Sequence, residues 1–179
     1  GDNMKSVFDT LPEPIVNQLE GLTKNPRFPW YWLDDTTYTT SNHDNDIKAH
    51  SFSHQIINEY EPCSEQTGLF ESALYCIADK CDARVEDIYR VRLGLCYPDG
   101  MLHHAPHTDY DFDHTTALYY INEADGDTFF FDKDHKIIHR ETPLKGKMII
   151  FDGKDIHASS SPTQGIRIAM NVNFKLRIS

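Results

Sequence analysis

The amino-acid sequence predicts a mainly β protein with supporting α-helices, arranged as a double-stranded β-helix, or jelly roll. Three observations lead to this prediction. About eight short segments with strand-like alternation follow one another after residue 87, strong turn signals separate them, and helical patterns occur only in the N-terminal half. Such a run of strands, with helices placed to one side, is typical of two packed sheets braced by helices.

The composition indicates one ordinary folded domain. The chain has 179 residues, of which 39% are hydrophobic and 12% aromatic, which is enough to bury a core. No linker, repeat or low-complexity tract divides the sequence. We therefore predict a single domain over 1–179, with helices and flanking strands in 1–85 and the jelly-roll core with the candidate site in 86–179.

Charge and hydropathy narrow the range of partners. The formal net charge is −11, which repels phosphate backbones, so we expect no nucleic-acid partner. No apolar run approaches the ~18 residues of a membrane helix, and the N-terminus lacks a signal-peptide pattern. We expect no membrane partner and a cytoplasmic location; the oligomeric state is unreadable. The cysteines lack C-x-x-C spacing and indicate reduced structural thiols: Cys63, Cys76, Cys81 and Cys96.

The N-terminal half predicts two helices and two strands. Residues 6–25 have apolar positions at helical spacing, and the aromatic run 28–33 predicts a strand. Residues 34–48 are rich in Asp, Thr, Asn and Ser and predict a surface loop, and the alternating stretch 49–57 predicts a second strand. The clearest helix is 67–81. Its apolar stripe, expected to pack against a sheet, consists of Leu69, Phe70, Ala73, Leu74 and Ile77.

The second half predicts strands joined by turns. Pro98-Asp99-Gly100 and Ala124-Asp125-Gly126 are the strongest turn signals. The predicted strands are 88–97, 101–109, 115–122, 128–132, 135–140, 147–152, 157–160 and 166–176.

Within these strands, three residues form a candidate metal site. If 107–109 is extended, His107 and Asp109 point to the same face. His157 follows fifty residues after His107. Two histidines and one carboxylate make a facial triad that suits non-haem Fe(II), because one face of the metal stays open for substrate and oxygen.

An arginine beyond the second histidine extends this pattern. Gly146 permits a tight turn into the apolar strand that leads to His157, and Arg167 lies ten residues further on, in the next strand. Arginine binds carboxylates through a planar pair of hydrogen bonds. A metal beside an anchored carboxylate is what a 2-oxo-diacid needs in order to chelate iron with its far end fixed.

These residues resemble the Fe(II)/2-oxoglutarate-dependent oxygenases, and within them the prolyl-4-hydroxylase-like group. The resemblance covers about residues 88–175. Besides the triad and arginine, it includes Cys96-Tyr97-Pro98, Tyr119-Tyr120-Ile121-Asn122 and the turn Asp125-Gly126-Asp127-Thr128, which looks like the family's Gly-Gly-x-Thr. The fold it implies is a cupin-like jelly roll.

The resemblance also implies roles for individual residues. Iron would be held by His107, Asp109 and His157. Arg167 would pair with the distal carboxylate of 2-oxoglutarate, and Tyr120 would donate its hydroxyl to the same carboxylate. Tyr97 would line the pocket near the metal-bound end of this cosubstrate, and Asn171 would add a contact. No catalytic residue beyond the metal ligands is implied.

The implied activity is hydroxylation of an unactivated C–H bond, with release of succinate and CO2. The cosubstrates are 2-oxoglutarate and O2, and ascorbate is a candidate additional cofactor. The first expected substrate is a protein or peptide side chain; a free amino acid or small metabolite is the alternative. A non-catalytic metal-binding jelly roll also stays open. In the loop after the triad, Asp111 and Asp113 would favour a cationic or neutral substrate.

Other sites are less consistent with the sequence. A zinc hydrolase reading of His103-His104-x-x-His107 lacks the usual Glu and has Pro106 inside the required helix. An AlkB-type nucleic-acid demethylase would carry a second Arg where this chain has Asn173. His50 and His54 are expected to be structural or rim residues and not ligands.

Overall fold

The computed structural model of the protein describes residues 4–36 and 49–178, so most of the predicted loop 34–48 lies outside the described residues. Within the described residues the chain forms two helices and eleven strands. In chain order these are β1 (Lys5–Val7), α1 (Glu13–Thr23), β2 (Tyr31–Leu33), β3 (Ser51–Asn58), β4 (Glu61–Pro62), α2 (Thr67–Lys80), β5 (Ala83–Cys96), β6 (Thr115–Tyr120), β7 (Thr128–Phe131), β8 (Ile137–Glu141), β9 (Met148–Asp152), β10 (Ile156–Ala158) and β11 (Arg167–Ile178).

The strands form two antiparallel sheets. The major sheet has the order β1-β9-β6-β11-β5-β3-β2, with β4 paired to β3, and the minor sheet has the order β10-β7-β8. The two sheets face each other, because Phe130 of β7 contacts Phe151 of β9 with 4.9 Å between ring centroids. Buried side chains from both sheets fill the space between them, including Leu118, Tyr120, Phe130, Ile149 and Phe151. The prediction of a mainly β jelly roll is confirmed.

Along β5 and β11, apolar side chains that face the core alternate with polar side chains that face the inside of the roll. Their register pairs Leu93 with Met170 on one face and Arg92 with Asn171 on the other. Because successive side chains point to opposite faces, one face of each strand is apolar and buried and the other is polar. The apolar face joins the main core, and the polar face lines the interior of the jelly roll.

The two helices cover the apolar face of the major sheet. Leu19 of α1 and Phe70 of α2 are fully buried in the main core cluster, which also contains Leu93 and Met170 from the sheet. The predicted stripe of α2 is confirmed as the buried side of that helix, although Leu69 is only partly buried. No helix within the described parts of the chain is long and apolar enough to span a bilayer.

The structure corrects several predicted boundaries. Residues 101–109 do not form a strand: only His107 pairs, in an isolated bridge to His157, because Pro106 has no N–H to donate to a ladder. The helix predicted at 6–25 starts only at Glu13, and its first residues instead form β1 at the sheet edge. The strand predicted at 28–33 is limited to Tyr31–Leu33. The division near residue 85 stays a prediction.

We predict that Phe70→Ala lowers the free energy of unfolding by about 3–5 kcal/mol, because it leaves a cavity between α2 and the sheet. Urea denaturation measures this change. Tyr75→Ala on the exposed side of the same helix, where the ring is 48% exposed, should cost less than about 1 kcal/mol. Equal losses in the two variants would contradict the packing described for α2.

Candidate metal and 2-oxoglutarate site

The structure brings His107, Asp109 and His157 together. In the two imidazoles, Nε2 lies 3.1 Å (His107) and 3.5 Å (His157) from Oδ1 of Asp109. One ligand atom from each residue lies within 4.8 Å of the others, and among the described residues this is the only such group of three. His157 belongs to β10, and the bridge to His107 is closed by two backbone hydrogen bonds of 3.0 and 2.9 Å. This isolated bridge, and not the strand predicted at 101–109, aligns the two histidines.

Backbone carbonyls orient both imidazole rings. Nδ1 of His107 lies 2.9 Å from the carbonyl oxygen of Ala105, and Nδ1 of His157 lies 3.0 Å from that of Asp155. A carbonyl oxygen only accepts, so each Nδ1 carries the proton and donates it. When the ring is neutral, the lone pair then sits on Nε2, which faces Asp109. With Nδ1 protonated, Nε2 is the nitrogen that is able to bind a metal, and two such nitrogens beside a carboxylate fit a divalent metal.

Amide groups from β11 hold the far oxygen of the Asp109 carboxylate. Asn173 and Asn171 donate from Nδ2 to Oδ2 over 2.8 and 3.2 Å, and Nη2 of Arg90 lies 3.5 Å from the same oxygen. Arg90 also donates from Nε to Oδ1 of Asn173 over 3.0 Å. With Oδ2 held in this way, Oδ1 is directed toward the two histidines.

The electrostatics of the triad follow from its burial. The Asp109 side chain is 3% exposed, and burial alone would raise its pKa. The facing imidazoles of His157 and His107 outweigh burial and hold the carboxyl pKa well below its ordinary value. Burial would lower the pKa of His157, but the Asp109 carboxylate outweighs it and the pKa is raised. The triad thus keeps its carboxylate ionised, as a metal ligand must be.

Sequence reasoning missed Arg90 and Asn173 as parts of this site. In the sequence, Asn173 stands out only as the position where an AlkB-type demethylase would carry an arginine. The alternation of side chains along a strand could have indicated Asn173, because it lies two residues after Asn171 and therefore on the same face. The pairing of Asn173 with Arg90 depends on the register of β5 and β11, which no local pattern reveals.

A second polar cluster surrounds Arg167, which is 4% exposed. Its Nε donates to the carbonyl oxygen of Gly126 over 2.8 Å and its Nη2 donates to Oγ1 of Thr128 over 2.9 Å. The Tyr120 hydroxyl lies 2.6 Å from the same Oγ1, and burial raises the pKa of Tyr120 to about 12. Within the described chain no carboxylate forms an ion pair with Arg167. A buried guanidinium without a counter-ion is costly, so this cluster fits an anionic ligand.

The remaining predicted cosubstrate residues lie elsewhere. Asn171 contacts Asp109, as described above, and its Oδ1 is a buried atom without a hydrogen-bond partner among the described residues. Tyr97 follows the end of β5, and its ring centroid is 6.2 Å from that of Phe52. The cosubstrate contacts expected of Tyr97 and Asn171 stay predictions.

The other histidines near the triad have structural partners. His104 is 1% exposed, and its Nε2 lies 3.1 Å from both Oδ2 of Asp99 and Oγ of Ser161. The ring of His103 packs against Phe131 at 4.9 Å. Among the described residues, neither His103 nor His104 joins His107 in a group that could hold a metal.

The histidines of the N-terminal half also have partners of their own. His54 is buried, with Nδ1 2.7 Å from the Pro29 carbonyl oxygen and Nε2 2.7 Å from Oγ of Ser64. The Nδ1 atom of His50 lies 2.7 Å from the Asp34 carbonyl oxygen. Both fit the structural role expected for them.

The loop after the triad turns Tyr110 toward the inside of the roll, whereas Asp111, Phe112 and Asp113 are exposed. Tyr110 and Phe112 stack with 5.0 Å between ring centroids. Asp111 and Asp113 are exposed, and Asp113 pairs with Lys154 at 2.8 Å. The inward residue of this loop is therefore Tyr110, which borders a cavity beside the triad.

That cavity has a volume of about 340 Å³. It lies on the polar inner face of the major sheet, and two of the three candidate metal ligands border it. Its lining consists of Thr36, Gln55, Asn58, Arg90, Arg92, His107, Asp109 and Tyr110.

Comparison with known proteins places the fold. No family model matches the sequence, and neither does any curated protein. Solved structures do match: a prolyl-4-hydroxylase from Pseudomonas putida has a TM-score of 0.59 at 18% identity and covers 96% of this chain and 92% of its own. This chain has the fold of the prolyl hydroxylases and their 2OG-Fe(II) oxygenase relatives.

Two further matches support that conclusion. A prolyl hydroxylase from Trichoplax adhaerens, in complex with a hypoxia-inducible-factor peptide, has a TM-score of 0.67 at 13% identity and covers 96% of this chain and 83% of its own. A 2OG-Fe(II) oxygenase family protein from Burkholderia pseudomallei has a TM-score of 0.69 at 9% identity, with coverage of 99% and 86%. The resemblance noted in the sequence is confirmed at the level of the prolyl-hydroxylase fold.

We predict that Gly126→Ala damages the Arg167 cluster. A Cβ at Gly126 would lie 2.6 Å from the backbone oxygen of Ser160, so the turn that supplies the carbonyl to Arg167 must shift. We expect a loss of about 1–3 kcal/mol in the free energy of unfolding, measured by denaturation. In Gly68→Ala, the added Cβ meets no atom within 4 Å, so stability should be unchanged or slightly higher. An equally harmless Gly126→Ala would contradict the close approach.

Proposed function

We propose that this protein is an Fe(II)- and 2-oxoglutarate-dependent dioxygenase that hydroxylates an unactivated C–H bond and releases succinate and CO2. The observation that carries the proposal is the triad, in which the Asp109 and His157 side chains are buried and both Nε2 atoms face one oxygen of Asp109. The fold shared with 2OG-Fe(II) oxygenases supports it. The buried Arg167 beside Tyr120 adds a place for an anionic cosubstrate.

Different residues would bind the two ends of the cosubstrate. His107, Asp109 and His157 would hold the iron, which supplies oxygen activation when bound. Arg167 would receive the distal carboxylate of 2-oxoglutarate, and Tyr120 would donate a hydrogen bond to it. Because its pKa is about 12, the Tyr120 hydroxyl keeps its proton at neutral pH and remains available as a donor.

The first substrate class we propose is a peptide or protein side chain. The support is the Trichoplax prolyl hydroxylase, which binds a peptide fragment. A free amino acid or other small molecule is the second candidate. The observation in its favour is the cavity of about 340 Å³ beside the triad, which is at the small end of ligand pockets and lined mostly by polar side chains.

We predict that the protein, mixed anaerobically with Fe(II) and then 2-oxoglutarate, develops a visible metal-to-ligand charge-transfer band. His157→Ala should abolish both the band and Fe(II) binding, because two remaining ligands cannot hold the ion. The control is His103→Ala, which removes a nearby imidazole outside the triad and should keep the band. Absence of the band in folded, iron-loaded protein would refute the proposal.

We also predict that Arg167→Ala weakens 2-oxoglutarate binding by about 1.5–3 kcal/mol, because it removes a charge-assisted pair. Fe(II) binding should be retained. Titration of the anaerobic Fe(II) protein with 2-oxoglutarate measures the change. Arg84→Ala, an exposed arginine on β5, should leave the affinity as it is. Normal cosubstrate affinity in Arg167→Ala would mean that another residue anchors the distal carboxylate.

A further inference from the structure

The lining of the cavity beside the triad includes two arginines from one strand. Arg90 and Arg92 both lie on the inner face of β5, and both border the cavity together with Asp109. Among the described lining residues, the only carboxylate is that of Asp109. The protein as a whole has a net charge of −11, so a cavity lined in this way is a local exception that attracts anions.

The two arginines have different surroundings. The guanidinium of Arg90 is directed to Asp109 and Asn173, as described above, and also lies 5.0 Å from the centre of the Tyr110 ring. Arg90 is 7% exposed, so its role is to position the carboxylate of the triad. Arg92 is less buried and lies two residues closer to the carboxyl end of β5. It is therefore the arginine that a ligand in the cavity can reach.

Unpartnered acceptors flank Arg92 on both neighbouring strands. The register places Gln55 of β3 and Asn171 of β11 directly opposite Arg92, all on the inner face. Oε1 of Gln55 and Oδ1 of Asn171 are buried atoms that have no hydrogen-bond donor within the described part of the chain. A buried acceptor without a donor is costly, so these oxygens point to a ligand that brings N–H groups.

This subsite is separate from the Arg167 cluster. Arg167 pairs with Cys96, four residues along β5 from Arg92, which corresponds to about 13 Å along the strand. The distal carboxylate proposed for 2-oxoglutarate and the charge of Arg92 therefore serve different groups. Since His107 and Asp109 border the same cavity as Arg92, a molecule held there can present a C–H bond to a metal bound by the triad.

We propose that Arg92 and Gln55 form a substrate subsite that binds a carboxylate together with an adjacent N–H group. Arg92 receives the carboxylate, and Oε1 of Gln55 accepts from the N–H. The α-amino and α-carboxyl groups of a free amino acid have this chemistry, and so does the C-terminal residue of a peptide. The inference rests on the proposed function, because it takes the triad as the reacting centre, and it defines which end of the substrate is recognised.

The test measures binding and not turnover. Protein loaded with Mn(II) and 2-oxoglutarate, without oxygen, is titrated by calorimetry with each of the twenty free L-amino acids and with their primary amides. We expect at least one amino acid to bind, and its amide to bind at least tenfold more weakly. The same residue is then tested at the C-terminus of a tripeptide, as the acid and as the amide, which distinguishes a free amino acid from a peptide end.

Variants assign the contact to its residues. Arg92→Met should weaken binding of that amino acid at least tenfold, and Arg92→Lys should weaken it less, because the charge is kept and the planar fork is lost. Gln55→Leu should also weaken binding of that amino acid, because the oxygen that accepts from its N–H group is gone. The matched control is Arg84→Met, which removes the same charge from an exposed position of the same strand and should change nothing.

The outcomes separate the two proposals. If no amino acid or peptide acid binds, or if the acid and its amide bind equally to the wild-type protein, the subsite is refuted while a charge-transfer band with Fe(II) and 2-oxoglutarate still supports the dioxygenase. Equal binding in Arg92→Met and wild type also refutes it. If the band is absent but carboxylate binding depends on Arg92, the dioxygenase is refuted and the subsite stands as a binding site.

Discussion

The Asp109 carboxylate is the group on which the rest of the site depends. A charge with a side-chain exposure of 3% is tolerated only if donors surround it. Here the donors come from separate parts of the chain: amides from β11, a guanidinium from β5, and imidazoles from β10 and from the segment between β5 and β6. The buried charge therefore ties both sheets of the roll together, and any rearrangement that removes one donor leaves a charge that the interior does not stabilise.

That requirement in turn explains the strict alternation of β5 and β11. On each strand one face supplies the core under the helices, with Leu93 and Met170, and the other supplies the site, with Arg92 and Asn171. A slip of one residue would bury the polar set against the helices and place the apolar set around the candidate metal ligands. The packing of the core and the composition of the candidate site thus require the same register of β5 and β11.

Features encoded in local sequence patterns could be predicted, whereas contacts that depend on strand pairing could not. The apolar stripe of α2, the strand pattern and the set His107, Asp109 and His157 could be read from spacing and residue type. The prediction that 101–109 is a strand was wrong, because one bridge at His107 is enough to align the triad. Nothing in the sequence distinguishes Arg90 from other arginines in strands, because its contact with Asp109 depends on the register of β5 and β11.

The acidic residues after the triad show that composition alone does not predict where charges lie in the structure. The loop after the triad contains Asp111 and Asp113, which suggested a pocket for cationic substrates. Their side chains are exposed, with Asp113 paired to Lys154, whereas the cavity is lined by Arg90 and Arg92. Exposed charges are screened over about 8–10 Å, but buried ones act at close range in a lower dielectric. The charge placed at the cavity thus differs from the acidic composition of the chain, because its described lining residues include two arginines and one carboxylate.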